Sequence, residues 1–295
     1  MKNKNILAIF FAILASLLYA INIPLSKILL EHISPTMMAS YLYLGAGIGI
    51  SIFYFIFKKK EKTDETITKK DIPYIIGMII LDILAPILLM FGLMSSASSS
   101  ASLLNNFEIV CTSLIALIIF KEFISRKMWI AILLITLSSF VLSIEDIENF
   151  KFSLGSLLVL LATLCWGFEN NCTKKLANKN VFKIVIIKGL FSGLGSLIIA
   201  IILKEGFGDI IYILLTLLLG FVAYGLSIYF YIKSQGIIGA AKTSAYYSLA
   251  PFLGAFLSFL ILHDKLNIPY FIGLIIMIIG TVIVVFDTLY PKKIM

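Results

Sequence analysis

The sequence predicts an all-α polytopic membrane protein, and three observations carry that reading. Apolar residues (AVILMFWYC) fill 60% of the 295 positions, charged residues only 14%, and the mean hydropathy is +1.05. A soluble domain holds about 45–50% apolar and about 25% charged residues. Apolar runs of the roughly 20 residues that a spanning helix needs recur along the whole chain and leave no length for a domain outside the bilayer. The net charge of +8 is therefore read as a topology signal rather than as a surface for an anionic polymer. Secreted disulfide scaffolds, nucleic-acid binders and soluble enzymes are excluded, and the expected partner of the charges is the lipid bilayer.

Ten spans follow, each bounded by charges, Pro or Gly. Span 1 (6–30) follows Lys2 and Lys4. Its start resembles a signal peptide with small residues near Ala20, but the apolar stretch runs on to Lys27 and an internal repeat crosses the would-be cleavage site. Span 2 (35–57) stops at Lys58, where a charged segment (58–71) reads as a solvated linker. Span 3 (71–94) carries Asp82 and Pro86, and span 4 (97–120) ends at Lys121-Glu122. Spans 5 (127–145) and 6 (153–176) follow, the latter ending on Lys174-Lys175; span 7 (181–203) stops before Lys204. Spans 8 (209–234), 9 (239–262) and 10 (267–287) complete the set, span 9 ending at His263-Asp264.

Alternating these spans leaves Lys27, Lys151, Lys204 and Lys265 on one side, and places the remaining 20 of the 24 Lys and Arg, Lys188 among them, on the other. Positive charge in short loops marks the cytoplasmic side, so both termini are expected there, in the cell membrane. Cys111, Cys165 and Cys172 fall inside spans without metal or redox spacing and read as small apolar residues.

The chain also repeats itself. Residues 14–27 lie over 161–174 without a gap, matching Leu14, Ala15, Leu17 and Lys27 and pairing Tyr19 with Trp166. Gly45 and Gly49 of span 2 pair with Gly189 and Gly193 of span 7, a spacing that lets helices pack closely. Phe120-Lys121-Glu122 falls on Leu262-His263-Asp264. Three matches in one order make two units of five helices, 1–145 and 146–295, and an odd number inverts the second in the membrane. Inverted five-helix repeats are a transporter architecture in which a site between the repeats faces either side as one rocks against the other.

With its ten-helix 5+5 repeat, the short ends Phe120-Lys121-Glu122 and Leu262-His263-Asp264, Gly273 and Gly280 in span 10, and Trp166-Gly167 with Asn170 in span 6, the chain resembles the drug/metabolite transporter superfamily, EamA type. The resemblance covers nearly the whole chain. It implies secondary transport, efflux included, of a small metabolite or drug-like solute, without a cofactor, through a central cavity lined by spans 1, 3, 4, 6, 8 and 9. Many relatives carry a proline in the middle of span 4, where this sequence reads Asn105-Asn106-Phe107-Glu108-Ile109. Pro251 is kept in span 9.

Ionisable residues within spans are costly and usually face a cavity or a helix partner. Asp82 and Glu108 lie near the midplane, and Glu169 lies deeper toward the cytoplasm. No basic residue is evident at the depth of Glu108 and Glu169, so both are candidates to carry a coupling proton; Asp82 is a third, with partnering the carbonyls freed by a kink at Pro86, one turn later, as its competing role. Ala101, Asn105, Glu108 and Thr112 form one helical stripe, flanked by Ser98 and Ser102. Trp166, Glu169, Asn170 and Thr173 form another, and its repeat mate offers Tyr19, Asn22 and Ser26. Tyr224 and Tyr247 sit in midspan, whereas Tyr41, Tyr43, Tyr54, Tyr212 and Tyr290 read as interface anchors. Aromatic faces beside carboxylates suit an amine, an organic cation or a zwitterion such as an amino acid. Candidate substrate-binding residues are thus Tyr19, Asn22, Asn105, Glu108, Trp166, Glu169, Asn170, Tyr224 and Tyr247. For all of these, helix packing is the competing role.

Gly206-Phe207-Gly208-Asp209 matches the GxGD signature of intramembrane aspartyl proteases, but it falls in an outer loop away from Asp82. His32 and His263 lie at loop edges, far apart in sequence, and no phosphate loop or metalloprotease motif is present, so neither enzyme chemistry nor a metal is expected. A non-transporting membrane protein, such as a lipid scramblase or scaffold, is the alternative.

Overall fold

A computed structural model describes residues 2–57, 67–121, 123–146, 151–176, 179–238, 243 and 246–289. Thirteen α-helices are described: α1 (Lys2–Ala20), α2 (Asn22–Leu29), α3 (Pro35–Phe57), α4 (Ile72–Met94), α5 (Ser98–Leu104), α6 (Phe107–Phe120), α7 (Arg126–Leu142), α8 (Leu154–Leu176), α9 (Val181–Ile202), α10 (Ile210–Leu219), α11 (Ser227–Ile238), α12 (Ala250–Leu262) and α13 (Ile268–Leu289). A π-helical stretch, Gly220–Leu226, joins α10 to α11, and two short antiparallel strands, β1 (Ile144–Asp146) and β2 (Lys151–Phe152), precede α8.

Seven helical stretches among the described residues are long and apolar enough to cross a bilayer. They are Lys4–Leu29, Pro35–Ile56, Lys69–Met94, Ser98–Ile119, Val181–Ile202, Ile210–Ile238 and Ile268–Leu289. The chain is thus a multi-pass membrane protein. The other helices over expected spans are α7, of 17 residues, α8, of 23 residues with the polar run Glu169-Asn170-Asn171 and Lys174-Lys175, and α12, of 13. Much of 239–249, the expected start of span 9, lies outside the described residues, as do 58–66 of the charged linker, Glu122, Lys242 and Tyr290.

Breaks appear where the sequence weakens a helix. Ile21, three residues before Pro24, separates α1 from α2. Asn105-Asn106 separates α5 from α6, since asparagine side chains compete with the helical backbone. There the ladder tightens to Asn106 N–H onto Leu103 O (3.1 Å), Glu108 N–H onto Asn105 O (3.1 Å) and Ile109 N–H onto Asn106 O (3.0 Å). α6 and α12 each end on a left-handed residue, Lys121 (φ 54°) and His263 (φ 52°).

Small residues set the packing. α3 lies against α9, α7 against α13, α5 against α12, α4 against α8, and α1 against α11. A Cβ on Gly189 would sit 2.4 Å from the Gly47 nitrogen, so α3 and α9 cross backbone to backbone. Close packing of spans 2 and 7 is therefore observed, but the motif is divided: Gly193 meets Leu44, while Gly45 and Gly49 admit Leu217 and Phe221 of span 8. Gly189→Leu is expected to remove most folded, monodisperse protein from detergent extracts, because the obstacle is backbone and overpacking already costs about 1–3 kcal/mol where side chains can yield. A thermal unfolding midpoint within a degree of the wild type would refute this. Exposed side chains such as Phe55, Ile118 and Ile202 form the outer, lipid-facing surface.

Candidate functional site

The polar centre starts from one lysine. Lys188 stands in the eighth position of α9, about 10 Å from its start at 1.5 Å per residue. Its Nζ lies 3.2 Å from Asp82 Oδ2 on α4 and 2.9 Å from Glu169 Oε1 on α8. Tyr43 of α3 donates to Asp82 Oδ1 (2.8 Å), and Thr173, one turn beyond Glu169, donates to Glu169 Oε1. Side-chain exposures of 7% for Lys188, 0% for Asp82 and 2% for Glu169 place the whole cluster out of contact with lipid. Two expectations are corrected here. Lys188 is not a loop charge on the cytoplasmic surface, and Glu169 does have a basic partner at its depth. Nor does Asp82 serve the carbonyls freed by Pro86, since α4 runs through the proline and the carboxylate is taken up by Lys188 and Tyr43. Tyr43 is 1% exposed, which removes it from the interface anchors.

Glu108 is different. It stands in the first turn of α6, accepts a hydrogen bond from Asn170 Nδ2 of α8, and has no ion-pair partner among the described residues. Asn170 also reaches Thr112 Oγ1 (3.4 Å), and Asn171 donates to Thr112 O (3.2 Å) and Gly167 O (2.8 Å), so α8 holds the start of α6 through a row of amides.

Aromatic rings continue the site. Tyr43 lies 5.1 Å from Tyr224, Tyr224 5.8 Å from Tyr19, Tyr19 5.9 Å from Tyr247 and Tyr247 5.0 Å from Tyr231, ring centre to ring centre. The π-helical turn delivers Tyr224 to this row, and Gly220 and Gly225 let that turn approach Leu42 and Ala46 of α3. π-turns recur at functional sites because the extra residue re-aims side chains.

Two adjoining cavities result, with lining residues in common. The inner one, about 80 Å³, is lined by Tyr19, Tyr43, Glu108, Trp166, Glu169, Asn170, Thr173, Lys188, Tyr224, Tyr231 and Tyr247, with Ile228 and Ile232. The outer one, about 390 Å³, shares Tyr19, Glu108, Asn170, Thr173, Tyr231 and Tyr247 with it and reaches Asn105, Asn106, Lys174, Asp287 and Thr288. It extends to the end of the bundle where α8 and α13 finish and α7 begins. At the opposite end the helices are tied together. Lys27 Nζ donates to Leu93 O and to Ser96 O (3.1 Å) at the carbonyl end of α4, a favourable place for a cation. Asp264 accepts from Ser99 N–H (2.7 Å), and Glu205 from Met37 N–H (2.9 Å).

Of the residues singled out from the sequence, Tyr19, Glu108, Trp166, Glu169, Asn170, Tyr224 and Tyr247 line the inner cavity and Asn105 the outer one. Asn22 lines neither: fully buried, it donates to Tyr224 Oη (3.2 Å) and accepts from Ser26 (3.0 Å), positioning the tyrosine from behind. Asp82 also stands behind the cavity, ion-paired to Lys188. Lys188, Tyr43 and Asn106 were not marked as site residues. Lys188 was detectable, because it follows seven residues, VFKIVII, six of them apolar with only Lys183 intervening, and precedes Gly189.

Comparisons with known proteins agree with this architecture. A solved crystal structure superposes with a TM-score of 0.71 over 98% of this chain and 99% of its own length at 13% identity, a likeness of fold alone. An uncharacterized transporter of Methanothermobacter thermautotrophicus (strain ATCC 29096 / DSM 1053 / JCM 10044 / NBRC 100330 / Delta H) is 26% identical over 290 residues, covering 92% of this chain and 84% of the relative. The model of the EamA-like transporter family matches residues 6–144 and 153–286. A bundle of lipid-facing helices around a buried polar cavity is what a membrane transporter for a small molecule requires, and with the family match over almost its full length the chain belongs to the EamA-like transporter family.

Proposed function

We propose that the protein is a secondary transporter of an amine, an organic cation or a zwitterion such as an amino acid, working by alternating access, with Glu108 as the group that binds the cation or, in its absence, a coupling proton. The observation that carries this reading is the unequal treatment of the carboxylates. Asp82 and Glu169 share Lys188, whereas Glu108 faces a tyrosine-lined cavity with, among the described residues, only an amide for a partner. Aromatic faces attract a desolvated cation by about 0.5–2 kcal/mol each, and the carboxylate supplies the counter-charge.

The proposed architecture is ten spans in two inverted repeats, 1–145 and 146–295. Supporting it are the two stretches of the family match, the left-handed ends Lys121 and His263, and the helix contacts. Exchanging each span with the one five places on carries the main helix contacts into one another: 2 with 7, 4 with 9 and 5 with 10 pair with themselves, and 3 with 6 becomes 8 with 1. With the termini cytoplasmic, as the loop charges favour, the outer cavity opens to the cytoplasm and the Lys27 contacts close the other face. Cysteines placed at Lys2 and Lys293 should then resist an impermeant reagent applied to intact cells; labelling of either refutes this orientation.

Substrate class is tested by a ligand-stabilisation screen of the purified protein across quaternary ammonium compounds, amines, amino acids and sugars. A ligand at 100 times its Kd stabilises by about 2.7 kcal/mol. Cationic and zwitterionic compounds should raise the unfolding temperature; stabilisation by sugars or anions alone would overturn the assignment.

A further inference from the structure

The break between α5 and α6 leaves polar groups that neither the fold nor the charge cluster uses. Asn105 and Asn106 are 5% and 2% exposed, both line the outer cavity, and Asn105 Oδ1 and Asn106 Nδ2 have no hydrogen-bond partner among the described residues. Burying an amide without a partner costs about 1–3 kcal/mol, so two adjacent instances in a cavity wall call for an occupant. The neighbouring amides, Asn170 and Asn171, are by contrast bonded to protein groups. As placed, the pair offers one acceptor, Asn105 Oδ1, and one donor, Asn106 Nδ2, and rotating both amides together still offers one of each.

Their position relative to Glu108 is fixed by the backbone. Glu108 N–H bonds Asn105 O (3.1 Å) and Ile109 N–H bonds Asn106 O (3.0 Å), which holds Asn105 three residues before Glu108 in a tight helical turn. Residues three apart on a helix have Cβ atoms about 5–6 Å apart on one face. A carboxylate and an amide thus stand about one short carbon chain apart on the same wall.

Resting on the reading of Glu108 as the cation site, we infer that Asn105 and Asn106 form its neutral half: they hydrogen-bond an uncharged group that both donates and accepts, a hydroxyl or a carboxamide, about three carbons from the cationic centre of the same solute. The pair sets specificity between cations of equal size and charge. A plain alkyl ammonium leaves both amides unpaired, whereas a hydroxylated one satisfies them.

The test uses two isosteric probes, (3-hydroxypropyl)trimethylammonium and butyltrimethylammonium, which differ by a hydroxyl in place of a methyl. Binding is measured by calorimetry to the full-length protein in detergent. The hydroxylated probe should bind the wild type about tenfold more tightly, although its competitor is the more apolar. Asn105→Ala and Asn106→Ala should erase that preference and leave the affinity for the alkyl probe within about twofold. Equal binding of the two probes to the wild type, with both lost in Glu108→Gln, would overturn the inference and spare the cation site. A preference that survives in both alanine variants would also overturn it, and binding of neither probe would overturn the cation site and the inference together. Because the wild-type comparison needs no variant to fold, the first outcome is decisive alone.

Discussion

Replacing Lys188 by methionine is expected to destabilise the protein by about 3–5 kcal/mol, the cost of removing one partner from a buried ion pair. Native proteins hold only about 5–15 kcal/mol in total, so little folded material should survive extraction. The physical reason is the charge left behind. Asp82 and Glu169 both lie within 3.2 Å of the lysine Nζ, and without it two buried carboxylates face each other across α4 and α8. Neutralising them as well should restore much of the loss: the triple variant Lys188→Met, Asp82→Asn, Glu169→Gln is expected to be more stable than Lys188→Met alone, the non-additivity that coupled neighbours show. Unfolding curves in a detergent titration check both points. A Lys188→Met protein within about 1 kcal/mol of the wild type would mean that the lysine does not compensate the acids.

Glu108→Gln is expected to behave in the opposite way, folding normally and losing function. Glutamine keeps the shape and can still accept the Asn170 hydrogen bond, but it carries no charge and cannot titrate. A hydrogen bond to a charged group is worth about 1.5–3 kcal/mol, so cation affinity should fall at least tenfold while the unfolding temperature of the empty protein barely changes. Acidification supplies an independent signature. Where the Glu108 carboxylate takes up a proton it no longer attracts a cation, so wild-type affinity should fall with falling pH, and the glutamine variant should be flat over the same range. Unchanged uptake in proteoliposomes together with an unchanged pH response would reduce Glu108 to a packing residue.

The spans were legible because lysines, prolines and glycines punctuate them. The sequence predicts span 2 over 35–57, and α3 is Pro35–Phe57. Span 9 was less so: α12 begins only at Ala250, after residues that are in part outside the described set. The polar stripes on spans 1, 4 and 6 were legible as helical periodicity, which is why Tyr19, Glu108, Trp166 and Glu169 meet at one cavity. Lys188 was hidden by counting charges by loop: a lysine seven residues into an apolar segment satisfies a topology count wherever its tip ends. Tyr43 and Asp82 are 39 residues apart on different helices, and no local pattern announces a hydrogen bond between them. The Asn105-Asn106 pair was visible as a departure from an expected proline, but periodicity treated it as continuous helix and so missed both the break and the two unpaired amides.

Locating a heavy cation decides whether this cavity is the cation site. With tetraethylarsonium bound, the anomalous signal of arsenic should fall inside the cavity beside Glu108, within about 6 Å of the ring centres of Tyr19 or Tyr247, and it should vanish in Glu108→Gln. Arsenic found instead in the apolar groove between α12 and α13, against Phe252, Phe256 and Tyr270, with the cavity at Glu108 empty, would contradict the proposed site.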